Sequence, residues 1–368
     1  MRRRVLRRSN AEDSPMVHLL GLDEEQERFR RRRSRRRVIT ALALSVAWVG
    51  LGVVRISSYV IVKPGTADAV DRRLDISGVP TFAPKGETFW ATVGIIEQPA
   101  PIQLFAAWIS GEQDAPKRSE VYGDQSRKES GQVSKAQMEG SKQVSEVVAA
   151  RKLGMLVSGG GAELASVDKQ FPAFKVLRAG DVITAINGVP ICLQADIVAA
   201  LVGMKPGATV DVTVRRGSRT QTLPTPTKSI RGVLRPVFGV ELTAATKDPC
   251  RAPFSVKINT DRIGGPSAGL AMTIALLDRL TPGELTGGQN VAVTGTIEGD
   301  GSVGEVGGVK QKTLTVKAAG AKLFLVPKSE VSLARPHAGK MRVVGVETLD
   351  DALAALRQLG GDPLPSRG

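Results

Sequence analysis

A chain of 368 residues is long enough for two or three domains with sizeable cores, and 42% apolar against 24% charged residues excludes a disordered chain. Cys192 and Cys250 have neither the spacing nor the histidine company of a zinc site, and two cysteines are too few for a disulfide-built scaffold. The net charge of +15 is unevenly spread: residues 1–37 hold 13 Arg against 6 Asp and Glu, a local +7, which marks a basic interaction tail rather than part of a fold.

That tail carries no nucleic-acid-binding motif, so it reads as a solvated segment against anionic lipid, with nucleic-acid binding as the alternative. Residues 38–54 follow without a charge, at the short end of a membrane span. Continuing past Arg55 to residue 62 gives a comfortable one, the arginine reaching back to the interface. A transmembrane anchor is therefore expected over 38–62, and the arginine cluster at 31–37 keeps the N-terminus inside and the C-terminal bulk outside. The rivals are a cleaved signal peptide, against which the long charged leader and the lack of a clear A-x-A site argue, and a buried core helix.

Residues 63–151 are expected to form a juxtamembrane element: short apolar runs at 89–96 and 104–108 read as strands, and Val133, Ala136, Gly140, Val144 and Val147 recur at helical spacing, predicting an amphipathic helix over 133–151. Residues 152–229 read as a small β-rich domain, with strands at 155–157 and 209–214, a helix near 194–202 and a strand with a tight turn across Gly180-Asp181-Val182-Ile183 and Asn187-Gly188. Residues 230–360 read as an α/β domain, with strands near 237–243, 254–258, 290–297 and 322–326 and helices near 267–279, 309–319 and 348–359. Gly320 serves as a C-terminal stop and Thr348 with Asp351 as a capping box. Residues 361–368 are left as a tail. The fold class is α/β (α+β), multidomain.

Within the last domain, Gly264-Gly265-Pro266-Ser267-Ala268-Gly269 sets a serine where a helix begins, so that backbone amides near Gly265 and Ser267 could hold an oxyanion. The serine needs a base, and His18 and His337 are poorly placed for it. On a helix from 309 to 319, Lys312 falls in the apolar stripe with Val309, Val316 and Ala319, whereas Lys310 and Lys317 project elsewhere. Burial lowers a lysine pKa and can make it a general base.

At these residues the chain resembles the Lon protease proteolytic domain, whose catalytic serine stands in G-P-S-A-G (here 265–269) and whose catalytic lysine closes G-G-[hydrophobic]-x-x-K (here 307–312). The resemblance implies a Ser267–Lys312 dyad with Thr294 beside the lysine, no cofactor and no metal. Many Lon proteins carry an aspartate where this chain has Gly264. Residues 180–188 resemble a PDZ domain, which implies capture of an extended peptide, its carboxylate loop placed near Leu153, Gly154, Met155 and Leu156. The whole order of anchor, PDZ-like domain and Lon-like domain resembles the membrane-anchored PDZ–Lon proteases of Gram-positive bacteria, and implies protein or peptide substrates, a membrane location and a hexameric ring. No G-x-x-x-x-G-K-[ST] phosphate loop occurs in the sequence, so hydrolysis without ATP is expected, on unfolded or membrane-tethered substrates. An inactive peptide-binding scaffold is the alternative. Cys192 and Cys250 lack metal spacing, and a disulfide between them is left open for an exported protein.

Overall fold

The computed structural model describes residues 35–42, 45, 54–205, 207–233, 235–243, 250–261 and 263–365. In chain order these form β1 (Val60–Ala69), β2 (Leu74–Ser77), β3 (Thr88–Glu97), α1 (Pro101–Ser110), α2 (Arg118–Tyr122) and α3 (Arg127–Lys152). Next come β4 (Ala162–Val167), β5 (Val182–Ile186), β6 (Val189–Pro190), α4 (Gln194–Leu201), β7 (Thr209–Arg216), β8 (Arg219–Pro226) and β9 (Val240–Leu242). The chain ends with β10 (Ser255–Ile258), α5 (Gly269–Leu280), β11 (Val291–Val293), β12 (Thr296–Ile297), β13 (Val303–Gly304), α6 (Val309–Ala318), β14 (Leu323–Pro327), α7 (Val331–Ala338), β15 (Arg342–Val346) and α8 (Leu349–Gln358).

A five-stranded sheet in the order β1-β3-β11-β14-β15 is the frame; β1 and β3 are antiparallel, and the other neighbours are parallel. Its inner strands β11 and β14 are short, fully buried apolar runs, as a sheet covered on both faces requires. Side-chain alternation splits them between two layers. Trp90, Val291, Val293, Leu323 and Leu325 face a core with α3, α5 and α8, whereas Phe89, Ala292, Phe324 and Val326 face a second core with α6 and α7. Helix α5 is buried nearly all round, so it has no polar face to show; each of its fully buried Leu or Ile side chains contributes about 1.5–3 kcal/mol by leaving water.

Residues 162–242 form a separate antiparallel sheet in the order β8-β7-β5-β4-β9, with β6 on β5 and its own core around Leu164, Ile183, Ile186 and Val212. Asn187 and Gly188, at φ +47 and +77, make the tight turn between β5 and β6 that their sequence announces. Asp181, 1% exposed, is held by Arg216 through two 2.7 Å bonds.

Several expectations are corrected. The strands of the juxtamembrane element do not stand apart: β3 pairs with β11, Val291 opposite Thr88, and α3 packs on α5, so residues 60–97 and 127–152 complete the α/β domain into which the smaller sheet is inserted. The run at 104–108 is not a strand but part of α1. Helix α3 starts earlier than 133, because Ser126 accepts from the Glu129 amide and the Glu129 carboxylate accepts from the Ser126 amide. Strand β9, expected in the last domain, pairs instead with β4, Leu242 opposite Leu164. No strand forms at 155–157. The expected anchor lies largely outside the described residues: 43–44 and 46–53 are among those not described, and among the described residues no helix is long and apolar enough to cross a membrane. Its C-terminal end is corrected, since Val60, Ile61 and Val62 pair with Glu97, Ile96 and Ile95 in the sheet. Most of the basic tail, 1–34, also lies outside the described residues.

Cys192 and Cys250 are joined in a disulfide, with Cα atoms 5.4 Å apart, packed on Val147 of α3. It ties the start of α4 to the segment that returns from the inserted sheet.

Candidate active site

Lys312 lies one turn into α6, its amide bonded to the Gly308 carbonyl at 2.9 Å. Gly308 takes φ +69 to start that helix. The lysine is 3% exposed, between Val309 and Val316 at 2% and 0%. Burial disfavours the ammonium and lowers its pKa to about 8, against the opposing pull of Glu330. Glu330 is itself buried, which raises its pKa, and it accepts from the Val306 amide at 3.0 Å, fixing the turn that leads into α6.

Thr294 follows the last residue of β11, its amide donating to Leu325 of β14 at 2.9 Å. The Lys312 amine donates to Thr294 Oγ1 at 3.1 Å. The threonine hydroxyl donates in turn to the Ser267 carbonyl oxygen at 3.3 Å, and the Gly295 amide donates to the same oxygen at 3.0 Å. The three residues singled out in the sequence are thereby brought together.

Ser267 stands in the turn just before α5, which begins at Gly269 rather than at the serine; Ala268 is the N-cap. It shares a cleft of about 1410 Å3 with Lys312, Gly264, Gly265 and Thr296. Gly265 takes φ +85, a left-handed conformation that suits glycine. Helix α3 holds this loop with serines on one stripe. The Ser134 carbonyl accepts from the Gly265 amide at 2.8 Å, and Ser141 Oγ donates to the Pro266 carbonyl at 3.1 Å. Ser145 Oγ donates to the Gly269 carbonyl at 2.9 Å. A Cβ on Gly264 would run into the Ser134 hydroxyl, so an aspartate there does not fit while Ser134 keeps its place.

Two parts of the cleft have no motif in the sequence. Residues 111–122 roof it: Asp114 exchanges backbone hydrogen bonds with Val62 at 2.8 and 2.9 Å, and its carboxylate accepts from Lys310 Nζ and Gln311 Nε2, each at 2.7 Å. Lys310 is thus engaged away from Ser267. At the other end Arg73 lies 5.6 Å over the Trp90 ring and pairs with Asp68 at 3.0 Å and Asp261 at 2.7 Å. The serines at 134, 141 and 145 were legible as one helical stripe; the roof and the arginine join chain segments far apart and left no local sign.

Leu153, Gly154, Met155 and Leu156 do not form the expected carboxylate loop. Leu153 caps the C-terminus of α3, Gly154 takes φ +73, and Leu153 and Met155 pack on the large core while Leu156 is 89% exposed. The smaller sheet's own groove, about 300 Å3, lies between α4 (Ile197, Val198, Leu201) and the segment Phe238, Gly239 and Val240 that leads into β9, with Arg235 on its wall. Strand β9 is the last in its sheet, so one of its edges faces this groove. The apolar-glycine-apolar run at 238–240 was the signal available for it.

Residues 261–357 match the Lon protease (S16) C-terminal proteolytic domain, and residues 136–227 match the PDZ domain. The Lon protease of Clostridioides difficile is 41% identical over 93 residues, 24% of this chain and 12% of that protein. The Lon protease of Campylobacter concisus is 33% identical over 94 residues, 24% of this chain and 11% of that protein. The chain thus spans about an eighth or less of the length of these relatives. Among solved structures, the PDZ domain of the SdrC-like protein from Listeria monocytogenes is 28% identical, with 22% of this chain and 86% of that domain covered and a TM-score of 0.21.

Proposed function

We propose that this chain, which carries a Lon-type proteolytic domain and a PDZ domain, is a serine endopeptidase working without ATP from a membrane anchor, with Ser267 as nucleophile and Lys312 as its base. The observation that carries the reading is the buried amine of Lys312, 3.1 Å from Thr294 Oγ1 and in one cleft with Ser267. With a pKa of about 8, a useful fraction of this lysine is neutral at physiological pH.

In the proposed reaction the neutral Lys312 amine takes the Ser267 hydroxyl proton as Oγ attacks the scissile carbonyl. The negative charge developing on the carbonyl oxygen is met by the Ser267 amide and by the N-terminal end of α5; the Gly265 amide, expected to share that task, is instead given to the Ser134 carbonyl, and Pro266 has no N–H. The ammonium then gives its proton to the departing amine, leaving an ester on Ser267. Water attacks the ester with Lys312 again as base, the ammonium returns that proton to Ser267 Oγ as its bond to the acyl carbon breaks, and the acid product leaves. Thr294 holds the amine by accepting its hydrogen bond, which leaves Lys312 free to exchange a proton with substrate and serine.

The groove between α4 and β9 supports a role in binding extended peptide, with main-chain pairing along the β9 edge, the C-terminal carboxylate at the amides of Phe238, Gly239 and Val240, and Arg235 adding positive charge. The disulfide supports a location on the oxidising side of a membrane, consistent with the uncharged run at 38–54 behind its arginine cluster.

The test is to incubate the full chain with unfolded casein in the absence of ATP, beside Ser267→Ala. Release of peptides by the wild type alone supports the assignment. Equal release by both, or none from the wild type until ATP is added, rejects it.

A further inference from the structure

Helix α1 is folded with its apolar side outward. At 100° per residue Ile102, Phe105, Trp108 and Ile109 share one face, and Gln103 and Ala107 share the opposite one. An amphipathic helix ordinarily buries the first kind of face. Here it buries the second: Ala107 is 1% exposed, whereas Phe105, Trp108 and Ile109 are exposed at 59%, 81% and 64%. The helix has no charged residue. Such a surface is covered in the working protein.

Its place in the chain identifies the cover. Ile56 donates its amide to the Pro99 carbonyl at 3.0 Å, and Arg55 Nη1 donates to Gln103 Oε1 at 3.5 Å, so the residues right after the uncharged run at 38–54 are tied to the first turn of α1. Two residues of extended chain reach about 7 Å. If residue 54 ends a membrane span, the start of α1 lies within about one helical turn of the hydrocarbon edge, where tryptophan and other large apolar side chains are favoured.

We propose that the exposed face of α1 is inserted in the outer leaflet interface of the membrane that holds the anchor, seating the proteolytic domain on the bilayer. The inference rests on the reading of 38–54 as a membrane span. Its consequence concerns substrate choice. Helix α1 runs directly into the segment 111–122 that roofs the cleft, so a seated α1 holds the cleft beside the bilayer and favours polypeptide emerging from the membrane over segments far from it.

The three tryptophans allow a direct test, because Trp48 lies in the apolar run, Trp108 on α1, and Trp90 is buried at 1% exposure. The full chain is reconstituted into phosphatidylcholine vesicles containing brominated lipid, which quenches tryptophan emission on contact. Trp48→Phe reads α1, Trp108→Phe reads the span, and the double variant reads the Trp90 background. The proposal expects loss of emission in Trp48→Phe, larger with bromines near the headgroup than near the chain end, and little loss in the double variant. Quenching of Trp108→Phe without quenching of Trp48→Phe overturns the proposal and leaves the span intact; a second copy of the chain covering α1 would give that result. Absence of quenching in both single variants removes the span and the proposal together.

Discussion

Lys312 Nζ donates to Thr294 Oγ1 at 3.1 Å, and Thr294 Oγ1 donates to the main-chain oxygen of Ser267, so one threonine on the central sheet positions both the proposed base and the nucleophile's backbone. Replacing it by valine removes a hydrogen bond to a titrating amine, worth about 1.5–3 kcal/mol. Thr294→Val is expected to lower kcat roughly ten- to a hundredfold with little change in KM, and Thr294→Ser to restore most of it. Steady-state hydrolysis of a short peptide checks this; equal activity in all three proteins would show that the threonine serves the fold alone.

The two lysines of the first turn of α6 separate structure from chemistry. Lys310 pairs with Asp114 at 2.7 Å and its side chain is 24% exposed, whereas Lys312 is buried in the cleft. Lys312→Met is expected to cost on the order of a hundred- to ten-thousandfold in kcat, the usual weight of a general base, and Lys310→Ala less than about tenfold. Circular dichroism of both variants confirms that they fold.

How far was this legible in the sequence? Helix α6 and the phase of Lys312 were, because an apolar stripe at 3.6-residue spacing is local, and so were α8 with its Thr348 cap and the Asn187-Gly188 turn. The pairing of Val291 with Thr88 was not, since two strands whose paired residues lie 203 positions apart carry no mutual mark. For the same reason the strands at 63–97 looked like a separate juxtamembrane element and β9 looked like part of the last domain. Leu153 to Leu156 drew the carboxylate loop to the wrong place because a short apolar segment after a helix is common to both settings; the packing of the partly buried Leu153 and Met155 on the large core decides against it.

Removal of the disulfide gives a third prediction. Cys192 and Cys250 are 58 residues apart, and closing a loop of that length in the unfolded chain stabilises the folded one by about 4 kcal/mol in the chain-entropy model. A Cys192→Ser, Cys250→Ser double variant is expected to unfold at lower denaturant concentration by a corresponding amount. A midpoint unchanged from the wild type would mean that the link contributes nothing to stability.

A fourth concerns pH and stability. Burial raises the Asp278 pKa to about 7, well above its unfolded value, with Asp71, Glu284 and Asp362 adding to the rise. The folded protein therefore binds the proton more tightly than the unfolded chain, and the stabilisation this gives is fully present below the unfolded pKa and lost as pH rises through about 7. Asp278→Asn keeps the oxygen that accepts from the Leu285 amide at 2.9 Å and removes the titration. Its melting temperature is expected to fall less between pH 5 and pH 8 than that of the wild type; parallel falls would place the sensitivity elsewhere.

The most direct measurement of the central claim is the pH dependence of kcat/KM for peptide hydrolysis without ATP, in the wild type and in Lys312→Met. Because Lys312 must be neutral to accept the Ser267 proton, and burial lowers its pKa to about 8, activity is expected to climb with pH and level off above that value. The residual activity of Lys312→Met should lack that limb. A wild-type limb near the ordinary lysine pKa of about 10.4, or a limb near 8 that persists in Lys312→Met, would contradict the assignment of Lys312 as the base.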